Sequence, residues 1–427
     1  MKRFSVFQPY RSVYMAILCL GWIILAGCGG GEPSGIVHPE REVMRSPVSR
    51  VNVFVENSGS MYGYVRGDTE FKVDVYGFLS DLTDAHRCQS MSLYYINTNV
   101  FPQQRPLRDF IGVLSPEDFR NRGLSAVTGL NTDIYGLLDT VLRRTPKGEV
   151  SVFISDCIFS PGPKQSATEY LSQQRVGIKS LFHSQIRQRD LAVVVYQMQS
   201  AFNGKYFDRN NTPVALHGDV RPYYIWVLGD RSDVWALLYG DSRQSIRPQG
   251  VQHSFIAIRG GQKLFYKVLP NSGEGSYATN VSDWCVAEDA ELGEEFDQED
   301  EGRFTMSVGV DFRPLLQDVD YLEDEKNFIL KPRGWHLSME ETQVVGFSHI
   351  AQLRYDGNRL RRSRIYLTLL QNLPPWIETL NDNDDATMAT RADRGKTYGL
   401  RELLGGIYDA YTLEGDTRAT IEVEVRP

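Results

Sequence analysis

Three short runs constrain this chain more than any other feature: "EVSVFISD" (149–156), "LAVVVYQM" (191–198) and "YYIWVLG" (223–229). Each is apolar almost continuously, so each reads as a strand with both faces covered. Such strands belong in a layered architecture, with helices over the two faces of one sheet. The segments between them supply the helices. In "TEFKVDVYGFLSDLTDAH" (69–86), Phe71, Val75, Phe78, Leu79 and Leu82 fall on one helical face. "TDIYGLLDTVLRRT" (132–145) reads as a capped amphipathic helix with basic residues in its last turn, and residues 166–188 are helix-like as well. "VNVFV" (51–55) and "MSLYYIN" (91–97) are two earlier strands, the second with an expected partner near Phe110–Leu114. "RSDVWALLYG" closes the series as a helix. This alternation predicts an α/β fold over residues 48–245, a doubly wound and mostly parallel sheet. One segment does not conform. "SAFNGKYFDRNNTPVALHGDVRP" (200–222) is polar and lacks helical periodicity, which leaves the direction of the final strand open, because parallel strands need a crossover.

The texture changes from about residue 250. "HSFIAIR", "KLFYKVL", "RFTMSVGVDF", "WHLSME", "SHIAQLRY", "SRIYLTLLQ" and "ATIEVEV" are strand-like runs parted by turns and acidic loops. Several alternate apolar and polar residues, as antiparallel strands with one wet face do. "YGLRELLGGIYDAY" (398–411) is the one convincing helix. Residues 250–427 are therefore expected to form a mainly antiparallel, β-sandwich-like domain. Its boundary with the first domain is expected near residues 240–252, in the polar stretch "GDSRQSIRPQG".

The N-terminus carries an address. Lys2, Arg3 and Arg11 precede an apolar run from Val13 to Ala26, too short for a membrane span and closing on small residues. Leu25-Ala26-Gly27-Cys28 resembles the lipobox of bacterial lipoproteins, which implies cleavage after residue 27 and lipidation of Cys28. An ordinary signal peptide or an uncleaved anchor is the alternative. Residues 28–47, with "GGGEPSG", read as a flexible tether. The expected location is the bacterial cell envelope, the outer membrane in preference to the inner, with the body facing the periplasm or the cell surface.

Charge narrows the partners. The 427-residue chain has a formal net charge of −8, which becomes −11 once the three basic residues of the signal are removed. A surface that acidic repels polyphosphate, so nucleic acid is not an expected partner. The acidic run "EDAELGEEFDQEDEG" (288–302) follows no ligand spacing and reads as a solvated loop. Cys88, Cys157 and Cys285 remain after cleavage and lipidation, too few and too scattered for a disulfide framework.

The chemistry concentrates at the ends of the predicted strands. In an open parallel sheet, ligands bind beyond the carboxyl ends of the strands. The first strand ends in "ENSGS" (56–60), Thr132 precedes the helix beginning "DIYG", and Asp156 ends the buried run "EVSVFISD". Oxygen donors arriving from separate loops suit a hard divalent cation, Mg²⁺ above all, which takes a few carboxylates and hydroxyls and keeps an open position. Ser58 as a nucleophile lacks both a Gly-x-Ser-x-Gly elbow and a His nearby in sequence. Asp133 fits a helix-dipole role better than a chemical one.

At these residues the chain resembles the von Willebrand factor A (vWA) domain and its metal-ion-dependent adhesion site (MIDAS). The family pattern is Asp-x-Ser-x-Ser in a first loop, Thr in a second and Asp in a third. Ser58 and Ser60, Thr132 in "GLNTDIYGLLD" and Asp156 in "FISDCIFS" match it, in order. Glu56 departs from it, standing where the family has Asp and carrying one more methylene. Glu56 could ligate directly, hold a metal-bound water or disturb the site. The resemblance implies a vWA/Rossmann-like first domain that binds Mg²⁺, or Mn²⁺ or Ca²⁺, through Glu56, Ser58, Ser60, Thr132 and Asp156. It also implies a protein partner that offers an acidic residue to the metal, hence recognition and not an enzyme. Two other classes stay open: a metal-independent scaffold subunit of an envelope assembly, and an enzyme with its site in the C-terminal domain.

The lipid address generates a test of its own. Cys28→Ser should release mature-length protein from membranes or leave an uncleaved precursor, read by membrane fractionation. Unchanged incorporation of labelled lipid in that variant would exclude the lipobox reading.

Overall fold

A computed structural model describes residues 46–427 apart from 123–132, 161–165, 209, 211, 241, 243, 271–272, 281, 294–302 and 385–393. The predicted signal, Cys28 and Thr132 thus lie outside the described residues. So does most of the tether. Among the described residues, no helix is long and apolar enough to cross a membrane.

The fold is mixed α/β. Its first part runs β1 (Arg50–Glu56), α1 (Glu70–Asp84), β2 (Met91–Ile96), β3 (Val100–Gln103), α2 (Leu107–Gly112), α3 (Pro116–Arg122), α4 (Ile134–Arg143), β4 (Glu149–Ser155) and α5 (Ala167–Gln188). It continues with β5 (Leu191–Phe207), β6 (Pro213–Asp230), α6 (Arg231–Leu238) and β7 (His253–Ala257). The strands form one seven-stranded sheet in the order β3-β2-β1-β4-β6-β5-β7. Every residue of β1 after Arg50, of β4 after Glu149 and of β6 from Arg221 is buried, so these strands are covered on both faces as their apolar runs require.

The sheet is not mostly parallel, which corrects the sequence expectation. Only the β1–β2 and β1–β4 pairings are parallel; β2–β3, β4–β6, β5–β6 and β5–β7 are antiparallel. The cause lies in residues 200–222. Having no crossover helix, the chain turns directly from Phe207 to Pro213, and directly joined strands pair antiparallel. The polar segment is thus the outer part of a long hairpin. It looked unlike a strand because burial there alternates irregularly across a bulge at Phe202/Asn203.

A second correction concerns the partner of β2. The partner is β3, four residues with Pro102 at the sheet edge, where a missing N–H is tolerated. The expected stretch near Phe110–Leu114 instead overlaps α2 and the turn after it. Leu107, Phe110, Ile111 and Leu114 have helical spacing, a signal that competed with the strand reading and won.

β7 lies on the C-terminal side of the expected boundary, yet it pairs with β5 in the first sheet. Further strands follow: β8 (Phe265–Val268), β9 (Ser276–Thr279), β10 (Val286–Glu291) and β11 (Arg303–Asp311). After the short helix α7 (Val319–Glu323) come β12 (Phe328–Lys331), β13 (Trp335–Glu341), β14 (His349–Asp356) and β15 (Ser363–Leu370). The chain closes with α8 (Trp376–Thr379), the two-residue strands β16 (Asn381–Asp382) and β17 (Thr397–Tyr398), α9 (Leu400–Tyr411) and β18 (Thr417–Val425). One sheet has the order β12-β15-β18-β10-β9 and another β13-β14-β11-β8. All their pairings are antiparallel except β10–β18. Alternating burial along β13 and β14 gives these strands one wet face.

The C-terminal part returns to the first sheet through α9. Its Gly406 touches α5: a Cβ there would lie 2.8 Å from the Arg175 carbonyl oxygen, so only glycine permits this approach. Arg175 also donates from Nε to Asp409 Oδ2 at 2.8 Å, fixing the same crossing.

The hairpin arm β5–β6 packs onto the turn that follows β1. A Cβ on Gly63 would fall 2.3 Å from the Phe202 ring, and Tyr64 meets that ring edge-on at 5.0 Å between centroids. Gly63→Ala should therefore destabilise the protein by about 1–3 kcal/mol through overpacking, measured by urea unfolding. Phe202→Ala should cost less in that background than alone, because the clash and the ring share one space.

Candidate functional site

The parallel pairing of β1 with β4 brings two carboxylates to one edge of the sheet. Register aligns Val55 with Ile154, so Glu56 and the Ser155-Asp156 pair leave the sheet side by side. Glu56 is fully buried and Asp156 is 1% exposed. After β1 the chain bends at Ser58, in an extended conformation, into a single 3₁₀ turn over Gly59–Gly63. That turn holds the Ser58 and Ser60 hydroxyls 2.9 Å apart. Ser58 is buried and Ser60 half-buried. The structure thus gathers Glu56, Ser58, Ser60 and Asp156 at one strand edge, while Thr132 lies outside the described residues.

The extra methylene of Glu56 has a local explanation. It lets Oε2 accept a hydrogen bond from the Ser155 hydroxyl on the neighbouring strand. Ser155 Oγ in turn accepts from the Cys157 N–H at 2.8 Å, which fixes the turn after β4. Cys157 adopts φ 57° there, and Trp226 Nε1 donates to its sulfur at 3.3 Å. Cys157 is thus a buried packing residue, and Cys88, Cys157 and Cys285 are all free thiols.

Asp156 is held less completely. Its Oδ1 accepts a long 3.5 Å bond from the Ile158 N–H, and its Oδ2 is buried with no hydrogen-bond partner. Burial pushes its carboxyl up to about 7, the Glu56 carboxylate adds to this, and Ser60 and Arg221 oppose it. A buried carboxylate oxygen without a partner is costly, so this oxygen suits a ligand that brings positive charge. Two carboxylates with two hydroxyls form a hard oxygen set, the type that Mg²⁺, Mn²⁺ or Ca²⁺ accepts. The residues present fit such an ion.

Beside the site lies a cavity of about 270 Å³. Glu56 and Ser58 form one wall, Asn97 and Thr98 beyond β2 another, and Asp133 with Arg143 of α4 the third. Asp156 is not among the described residues that line it. The Asn97 amide donates to Asn57 Oδ1 at 3.1 Å, and Asn57 donates to the Phe119 carbonyl at 3.2 Å, which ties the loop after β1 to β2 and α3. Asp133 precedes the first residue of α4 without a side-chain cap bond, and it faces the cavity.

Reading the sequence missed Ser155 and Arg221. Ser155 carried a usable signal, a polar residue in a doubly buried strand immediately before Asp156. Arg221 carried none until the direction of β6 was known. Tyr223 and Tyr224 belong to the core, both fully buried. Comparison with known protein families, with curated proteins and with solved structures found no match.

The raised carboxyl of Asp156 makes stability depend on pH. Protonation is favoured more in the folded than in the unfolded state, so its contribution is full below the ordinary value of 3.8 and is lost as pH rises through about 7. In chelator, the protein should lose stability across that window, measured by urea unfolding at a series of pH values. Asp156→Asn should flatten the loss.

Proposed function

We propose that this chain is a lipid-anchored bacterial envelope protein that binds a protein partner through a divalent cation held at a vWA-type, MIDAS-like site. Glu56, Ser58, Ser60 and Asp156, with Thr132 from the second loop, would hold the ion, Mg²⁺ in preference to Mn²⁺ or Ca²⁺. An acidic side chain of the partner would complete its coordination. The reading is therefore recognition, not turnover, with Cys28 carrying the lipid. One observation carries it: the buried, unpartnered Asp156 Oδ2 beside the Ser58–Ser60 hydroxyl pair.

A second reading has its own support. Arg221 is buried near Asp156 and already supplies a positive charge inside the cluster. On that reading the protein is a metal-independent scaffold subunit of an envelope assembly.

Saturation with Mg²⁺ or Mn²⁺ separates the two. An ion bound only to the native state at a hundredfold excess over its dissociation constant raises stability by about 2.7 kcal/mol, visible in a melting curve. Ser60→Ala, which removes one hydroxyl ligand, should abolish most of that shift while leaving the sheet folded. Capture of the partner from membranes should fail in chelator. No shift with any divalent ion, together with capture in chelator, would replace this reading with the scaffold.

A further inference from the structure

The cavity beside the candidate site is unevenly charged, and the imbalance traces to one residue. Its volume of about 270 Å³ is below that of a typical small-molecule pocket and suits a single long side chain. Among the described residues of its lining, Glu56, Asp133 and Asp139 are acidic and Arg143 alone is basic. Arg143 is already engaged, because its guanidinium pairs with Asp139 one turn earlier on α4 at 2.6 Å. Glu56 belongs to the set that would hold the ion. Asp133 remains. It makes no side-chain cap bond to α4 and has no ion pair among the described residues.

Gly136 shows how the Asp133 carboxylate is seated. A Cβ at this glycine would lie 2.6 Å from Asp133 Oδ2 and 3.2 Å from its Cγ. The carboxylate therefore lies over the first turn of α4, in the space that a side chain at 136 would take. Glycine is a poor helix former, yet it occupies this turn and forms part of the cavity wall. The positive end of the helix favours an anion in that place.

Resting on the cation reading above, we propose that Asp133 selects the partner. The partner segment that gives its acidic residue to the ion carries a lysine or arginine close by, and that basic side chain enters the cavity to pair with Asp133. Charge balance is the reason. A divalent ion offsets Glu56 and Asp156, and Arg143 offsets Asp139. A partner carboxylate arriving alone would meet the uncompensated Asp133, and like charges brought together at an interface are costly. A basic neighbour turns that repulsion into attraction, so purely acidic segments are rejected.

The test is NMR titration of the full chain in Mg²⁺ with capped peptides. Each carries a glutamate followed, directly or after one glycine, by lysine, arginine or norleucine. The basic peptides should bind about fivefold tighter than the norleucine ones. Asp133→Asn should abolish that preference, and so should Gly136→Ala, whose methyl group displaces the carboxylate. Arg143→Ala should enlarge it, because Asp139 is then released. Equal affinities in wild type, or a preference that survives Asp133→Asn, would overturn the assignment. So would the failure of every peptide to bind while Mg²⁺ still raises the melting temperature, which leaves the cation reading standing. A preference that persists in chelator, with no melting shift in Mg²⁺, would overturn the cation reading and keep the basic-residue pocket.

Discussion

Two carboxylates buried at the same end of adjacent parallel strands set the conditions for everything around them. The β1–β4 register brings Glu56 next to Ser155 and Asp156, and both acids are out of water. Like charges in that position repel, and each has lost its hydration, so the neighbourhood must compensate. Ser155 donates to Glu56, Ser58 and Ser60 stand close by, and the Asp156 carboxyl shifts toward protonation. Compensation is incomplete at Asp156 Oδ2, and that residue of unmet electrostatic demand gives the edge its chemistry.

The reversal of β6 determines what approaches that edge from inside the chain. A parallel strand beside β4 would end at this edge, as β4 does. An antiparallel one begins there, and its approach delivers Arg221 and the arm that carries it. The arm then closes over the turn bearing the two serines. Phe202 lies against Gly63, and Tyr64 reaches back to the Pro222 carbonyl. The same departure from a regular doubly wound sheet thus brings a buried positive charge, whose field opposes protonation of Asp156, and a cover over the turn.

Much of this was legible in the sequence because local signals were strong. The doubly apolar runs gave β1, β4 and the inner halves of β5 and β6, and the face of Phe71, Val75 and Leu82 gave α1. Glu56, Ser58, Ser60 and Asp156 were readable as one edge because strand ends in an α/β sheet follow from strand order and direction. Strand direction itself was not legible for β6. A hairpin arm beyond the sheet pairs its backbone fully but packs only one irregular face, so its side chains show neither period. The partner of β2 failed for a related reason: β3 is four residues at an edge, and its apolar neighbours belong to a helix.

The least legible link is the longest one in sequence. Arg221 is held by the Arg394 carbonyl, and Arg394 in turn donates to Asp219 at 2.6 Å, two residues before Arg221. Tyr224, also on β6, shares a 2.9 Å hydrogen bond with the Thr397 hydroxyl. Residues 394–397 lead into α9, which is locked against α5 through Gly406 and the Arg175–Asp409 pair. The guanidinium beside Asp156 is therefore positioned by backbone from the C-terminal part of the chain. Electrostatic energy between buried charges depends steeply on their separation. Residues 394–397 thus contact the strand that runs past the carboxyl end of β4, and through Arg221 their position bears on the electrostatics of Asp156.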